Sequence, residues 1–323
     1  MPFDEEKLIQ SLVELYRQGF LNVLKVLLQK EAKKSRTTWY YKQHLKQIME
    51  ILNQLDKDAA KWIQENIPKI YQQNYTQVLA YINKIGMQKE INPSFAQIHQ
   101  RAIDIIAQNM YDNLRQATNY AGRRINDYYR QAALEAEAEK FTVGQTWKEM
   151  AKNLQQKLLS KGLTGFKDRL GREWRLDSYA DMVARTTTRE IATAATINAC
   201  KEFDIDLVKI STHYPTCEKC APLQGKVFSL SGQDKRYPHY DGVKVRVPVH
   251  VNCRHVLTPY VRELDPNAEE VERYSNTSLT EDPRSEKEKQ AYKEMRDKVT
   301  IQTIRRRARE VLYNEQAPLI ERL

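Results

Sequence analysis

The chain has 323 residues, 41% hydrophobic and 29% charged, with only 10 glycines and 11 prolines. That composition excludes a collagen-like or wholly disordered chain and favours long uninterrupted helices around a core of ordinary size. Lysine and arginine outnumber the acids, 52 to 42, for a net charge of +10, which points to an anionic partner without saying which one.

In chain order, Met1-Pro2-Phe3-Asp4-Glu5-Glu6 opens with acids where a secretory signal places basic and then apolar residues, so export is not expected. No apolar run approaches the roughly 20 residues of a membrane span. Leu8, Leu12, Leu15, Phe20, Val23, Leu24, Leu27 and Leu28 recur at three and four, which predicts one amphipathic helix with lysines near its C-terminal end. A second periodic run takes in Leu45, Ile48, Leu52, Leu55, Trp62 and Ile63, and resumes beyond Pro68 with Tyr71, Tyr75, Val78 and Ile82. Proline lacks the backbone donor and crowds the preceding turn, so a kink or break is expected near Asn66. After Asn92-Pro93-Ser94 a third long helix is expected from Phe95 toward Lys140. Charged and amide side chains are interleaved throughout, the pattern of an elongated bundle or of helices set against another subunit.

Beyond a break at 141–146, Thr146 is placed to cap a shorter helix through Leu159. Gly162, Gly165 and Gly171 then precede a turn and short strand over Asp168–Leu176, and Asp177-Ser178 is expected to cap the next helix. Leu207–Ser211, Lys226–Ser229 and Val243–Val247 alternate as strands, and Asp265–Arg284 has the polar composition of a linker. From Glu286 to about Tyr313 the chain is helical in composition and carries a basic run. The expected fold class is α+β. A long N-terminal helical bundle (1–141) precedes a small mixed α/β domain with a Cys/His knuckle (142–264), then a polar linker and C-terminal basic helix (265–323).

Cys217-Glu218-Lys219-Cys220 and His250-Val251-Asn252-Cys253-Arg254-His255 are the most informative residues. A tetrahedral structural zinc site takes four thiolate or imidazole donors, commonly as two close pairs that each occupy one tight turn. Cys217, Cys220, Cys253 and one histidine, His250 with His255 as the alternative, supply such a set. The two strands expected between the pairs can form a hairpin that brings them together. The competing reading is a hydrogen-bonded knuckle without metal. Cys200 falls at an apolar helical position and reads as an inert core thiol.

Several blocks, in order, resemble tailed-phage minor capsid proteins of the minor capsid protein 2 group, related to the wider phage head morphogenesis family. These are Gly165–Asp168 through Gly171–Trp174, Tyr179–Glu190, Cys217–Phe228, and His250–His255 followed by Pro259-Tyr260. The close resemblance covers about residues 142–262. Many members of the wider family end the last block Cys-Arg-Cys, whereas this chain has Cys253-Arg254-His255. The resemblance implies a low-copy structural head component that associates with the portal protein, other capsid proteins or the capsid interior, and touches packaged double-stranded DNA. Its expected location is the virion, with the host cytoplasm during assembly and no membrane partner.

Arg305, Arg306, Arg307 and Arg309, with Lys298 upstream, place positive charge around much of a helix. Such density neutralises phosphates without reading bases, it serves equally for an acidic groove on a partner protein, and the alternative is a solvated face paired with Glu310. An enzymatic alternative, a virion-carried effector of nuclease or ADP-ribosyltransferase type, would draw on Thr186, Thr187, Thr188, Arg185, Arg189, Glu173 and Glu190. The chain has no phosphate-cradling glycine loop, nucleophile elbow or His-Glu-x-x-His, so no catalysis is expected.

Overall fold

The computed structural model describes residues 4–28, 37–87, 94–139, 165–168, 171–242 and 246–299. The helix expected over 146–159 and the cluster Arg305, Arg306, Arg307 and Arg309 lie outside them. The chain divides into two compact units, with the boundary between Phe203 and Asp204.

Among the described residues the first unit contains the helices α1 (Glu5–Leu28), α2 (Thr37–Lys84), α3 (Ser94–Glu139) and α4 (Leu176–Glu202). Helix α2 packs on the other three, and α4 packs on α1 and α3 as well. One apolar cluster joins Leu12 and Tyr16 of α1, Ile48, Ile63, Ile67 and Ile70 of α2, Met110 and Leu114 of α3, and Ile191 and Ala195 of α4. A hairpin, β1 (Gly165–Lys167) with β2 (Glu173–Arg175), pairs Phe166 with Trp174 and packs on α3 and α4.

Three expectations change here. Helix α2 runs unbroken through Pro68. Ile63, Ile67, Ile70 and Tyr71 are all buried around the proline, so packing on both sides holds a helix that the local backbone opposes. Helix α4 belongs with the long helices rather than with the Cys/His domain, and the unit boundary accordingly falls at 203/204 instead of 141/142. Its buried side is rich in small residues, Ala180, Ala184, Ala192 and Ala195, which admit close approach of neighbouring helices. Finally, α4 starts at Leu176 with no side-chain cap. Asp177 lies within the first turn, where its carboxylate accepts from the Arg175 guanidinium and the Ser178 N–H.

Four of the residues weighed for catalysis make structural contacts, while Glu173 and Glu190 are exposed. Arg185 forms a two-pronged pair with Glu6 and another bond to Asp181, while Arg189 meets Glu5. Thr187 and Thr188 are buried, and Thr188 donates back to the Ala184 carbonyl.

Glu202, the last residue of α4, is 2% exposed and closes a buried polar network. The Tyr75 hydroxyl donates to its Oε2 at 2.5 Å, and His99 Nε2 lies 3.5 Å from the same oxygen. Asn198 donates to the Tyr71 hydroxyl at 2.9 Å, and that hydroxyl is 2.7 Å from His99 Nδ1. Burial, then the adjacent Glu202 carboxylate, push the Tyr75 hydroxyl up, so it remains a donor at neutral pH. Tyr75→Phe leaves a buried carboxylate short of a partner and should lower the unfolding free energy by about 1–3 kcal/mol, read from the urea midpoint.

The second unit holds a three-stranded antiparallel sheet in the order β4-β3-β5, with β3 (Leu207–Ile210) between β4 (Val227–Ser229) and β5 (Leu257–Pro259). Lys209 pairs with Val227 on one side and Thr258 on the other. The third strand is therefore Leu257–Pro259. Of the strand expected at Val243–Val247, residues 243–245 lie outside the described set, and Arg246 and Val247 are not in a strand. The span 265–284 is no linker. It contains helix α5 (Ala268–Ser275), which packs on β4 and buries Ala268 and Ser275. The Ser275 hydroxyl receives the Val227 N–H, and Arg284 donates to the Thr216 carbonyl. A further helix, α6, occupies 286–299. No described helix is long and apolar enough to cross a membrane.

Candidate metal centre

The sheet explains how two sequence-distant motifs meet. Cys217 and Cys220 lie on the connection that leaves β3 and returns as β4, and the His250–His255 block immediately precedes β5. Because Ile210, at the end of β3, pairs with Leu257, at the start of β5, both motifs lie at one end of the sheet. The returning element is thus β5, in place of the hairpin expected between the pairs.

Each motif is a tight turn. In the first, the Cys220 and Ala221 N–H groups both donate to the Cys217 carbonyl, at 3.2 and 2.9 Å. In the second, the Cys253 N–H donates to the His250 carbonyl, and Asn252 takes a left-handed φ of 60°, a conformation asparagine tolerates better than most residues. Gly225, at φ +77°, turns the chain into β4 as its N–H reaches the Ile210 carbonyl.

Five donors converge as two triads that share Cys220. Cys217, Cys220 and His250 form one, and Cys220, Cys253 and His255 the other, with the donor atoms of each triad within 4.8 Å of one another. His250 Nε2 lies 3.1 Å from Cys217 Sγ and 3.2 Å from Cys220 Sγ; Cys220 Sγ is 3.7 Å from Cys253 Sγ, and Cys253 Sγ is 3.6 Å from His255 Nδ1. With Zn–S near 2.3 Å and Zn–N near 2.0–2.1 Å, a tetrahedral ion separates its donors by about 3.4–3.8 Å. These four spacings match that range or fall a few tenths of an ångström short of it, so each triad has donors spaced to hold a metal ion, although no four of the five donors lie mutually within 4.8 Å.

Both histidines present a usable nitrogen, with different support. His250 Nδ1 is 2.7 Å from the Val251 carbonyl, which must accept, so the proton sits on Nδ1 and the Nε2 lone pair faces the thiols. His255 Nε2 is 3.5 Å from Gln224 Oε1, the outer limit of a hydrogen bond, and its ring meets His213 edge-on at 4.7 Å. His250 Nε2 thus faces two thiols, while His255 Nδ1 faces Cys253 alone.

The thiols share protons unequally. Contact with Cys220 lowers Cys217 to about 5, helped by the Cys220 N–H and the His250 ring. Contact with Cys220, then with His255, lowers Cys253 to about 3. Cys220 is pushed up by its two sulfur neighbours and by burial. The outer thiols are thus biased toward the thiolate form that a metal requires. Cys200, buried far from this cluster in sequence, has its thiol pushed up to about 12 by burial, as expected of an inert core residue.

The profile of the family described as phage minor capsid protein 2 matches residues 2–317. The chain belongs to that family. A relative of this minor capsid protein, the structural protein of Lactococcus phage LL-H, is 28% identical over 102 residues, which cover 29% of this chain and 28% of the relative. The chain thus spans less than a third of the length of the curated relative it matches. No solved structure matches it.

Of the remaining residues singled out in the sequence, Lys298 lies exposed on α6, while Arg305, Arg306, Arg307 and Arg309 are outside the described residues. Three contributors to the knuckle carried no sequence signal. Gln224 receives the His213 N–H and faces His255; Arg284 holds the carbonyl just before Cys217; Arg254 reaches Met295 of α6 at 3.0 Å.

Proposed function

We propose that this minor capsid protein is a structural, non-catalytic component of a tailed-phage head that associates with the portal or the capsid interior and assists head assembly or genome packaging and ejection. The family match across residues 2–317 carries the proposal, because it takes in the helical unit and the Cys/His unit together. The helical unit offers exposed surface for capsid partners. The Cys/His cluster serves as a structural zinc centre of Cys217, Cys220, Cys253 and His250, with His255 as the alternative ligand. Four protein ligands leave no position for an activated water, which favours a staple over a catalyst. Lys298 and Arg305, Arg306, Arg307 and Arg309 supply a basic segment for packaged double-stranded DNA or an acidic capsid subunit.

The test is coexpression with the portal protein of the same phage. A complex that survives gel filtration is the expected result, and a portal that elutes alone at micromolar concentrations of both proteins would remove portal association from the proposal.

A further inference from the structure

A cavity of about 350 Å3 opens beside the Cys/His cluster, and of the three clustered thiols it reaches one. Cys217 and His250 lie in its wall, whereas Cys220 and Cys253 do not line it and are 1% and 3% exposed. A reagent that enters from solvent therefore meets the Cys217 sulfur first.

The sulfurs also stand in a fixed order. Cys217 shares a triad with Cys220, and Cys220 shares one with Cys253, but no triad holds Cys217 and Cys253 together. Cys220 Sγ lies 3.7 Å from Cys253 Sγ, close enough for an S–S bond after a small movement of either side chain. Cys220 is the middle member of a line of three, open to the cavity at the Cys217 end and buried at the Cys253 end.

We propose that Cys217 is an oxidation site for hydroperoxides, and that the three cysteines pass its oxidation inward to leave a Cys220–Cys253 disulfide in place of the metal. The Cys217 sulfur attacks one peroxide oxygen, the O–O bond breaks and hydroxide leaves, so the sulfur is oxidised to a sulfenic acid and the peroxide is reduced. Cys220 then attacks Cys217 Sγ; the S–O bond breaks, and its hydroxide leaves as water on taking a proton. Cys253 attacks Cys220 Sγ in turn, the S–S bond to Cys217 breaks, and Cys217 keeps the electron pair as a thiolate. Two thiols and one peroxide give one disulfide and two waters, with Cys217 regenerated. An oxidised Cys220 no longer donates, so the metal is released. Hydrogen peroxide is small and uncharged, and it enters the cavity without recognition by charged side chains. The inference deepens the zinc-staple reading and rests on it. The tie between the Cys217–Cys220 turn and the His250–Cys253 turn is a metal under reducing conditions and a disulfide under oxidising ones.

The experiment treats the full, reduced chain with hydrogen peroxide, follows zinc release with a chromophoric chelator, and maps disulfides by mass spectrometry at successive times. A Cys217–Cys220 linkage should appear first and give way to Cys220–Cys253, with about one zinc ion lost per disulfide. Dithiothreitol with added zinc should restore the starting state. Cys253→Ser should stop the sequence at the Cys217–Cys220 linkage. Cys217→His keeps a nitrogen donor for the metal but removes the entry sulfur, and it should slow formation of Cys220–Cys253 about tenfold or more, since buried thiols react poorly. That rate is compared with the native chain at equal metal content, so a variant that loses zinc still reports on the route. An unchanged rate in Cys217→His would overturn the proposal, as would zinc loss with no disulfide among these three cysteines, or a linkage that involves the buried Cys200 of α4. A native chain that binds no zinc removes the staple reading, while the order of linkages still decides the oxidation route.

Discussion

Cys220→Ser should strip the metal from the purified chain and unfold the knuckle, with bound zinc falling from near one per chain to near zero. Cys220 is the donor common to both triads, at 3.2 Å from His250 Nε2 and 3.7 Å from Cys253 Sγ, so its loss leaves two fragments that cannot be completed from each other. Structural zinc contributes on the order of 10 kcal/mol in small metallo-domains. That is comparable to the roughly 5–15 kcal/mol total stability of an ordinary domain, so the second unit should lose its cooperative transition while the helical signal of the first persists. Circular dichroism and metal analysis of reduced protein together read the result. The histidines separate in the same assay. His250→Ala should lower affinity far more than His255→Ala, and cobalt substitution should show the tetrahedral spectrum perturbed mainly by the former. Freshly reduced native protein with no metal would leave a hydrogen-bonded knuckle instead.

Lys226→Met should destabilise the second unit by about 3 kcal/mol, because several acceptors each lose a donor worth roughly 1–3 kcal/mol when buried. Lys226 is 1% exposed, and its Nζ donates to the carbonyls of Tyr274 and Thr277, at 2.8 and 2.9 Å, and to the Thr277 hydroxyl at 2.5 Å. The ammonium therefore caps the C-terminal end of α5, where the helix dipole favours a cation, and ties that helix to the start of β4. Methionine has a similar reach and none of the donors. It also escapes the desolvation that holds Lys226 below its ordinary 10.5, which keeps the net loss from being larger. The same depression fixes a pH signature. Between the lowered folded value and 10.5 the unfolded chain binds more protons than the folded one, so native stability gains from this group as pH rises through that window. The methionine variant should lack that increment in urea titrations at pH 9 and 10.5.

The long helices are legible because the apolar residues of α1, α2 and α3 recur at helical spacing over many turns, and a period sustained that long outweighs local exceptions. Pro68 shows the limit of the local rule. Its cost is fixed by the backbone, but whether the helix breaks depends on Ile63, Ile67 and Ile70 finding a core, which neighbouring residues do not reveal. Helix α4 was placeable as a helix, yet its assignment to the first unit rests on small residues that pack against distant segments. Strand β5 is not legible in the sequence, because three residues ending in Pro259 offer no alternation to count. Helix α5 was hidden by its acids, since a buried alanine, a buried serine and a lysine over 40 residues upstream decide its docking. The Cys/His spacing, by contrast, stands out in sequence because ligand pairs need fixed short turns. Gln224 and Arg284 do not, because their roles exist only once β3, β4 and β5 have brought the motifs to one sheet end.

The buried network around Glu202 has a mechanical consequence. Glu202 is the last residue of α4 and immediately precedes the unit boundary, and its carboxylate is gripped by Tyr75 of α2 and faced by His99 of α3. Helix ends ordinarily fray first under tension, since their terminal carbonyls are unpaired. Here a pull transmitted along the chain at Phe203 meets an anchored terminus and is shared with two other helices through side chains rather than through the last turn of α4. Helix α4 can therefore bear tension at its C-terminal end without unwinding from it.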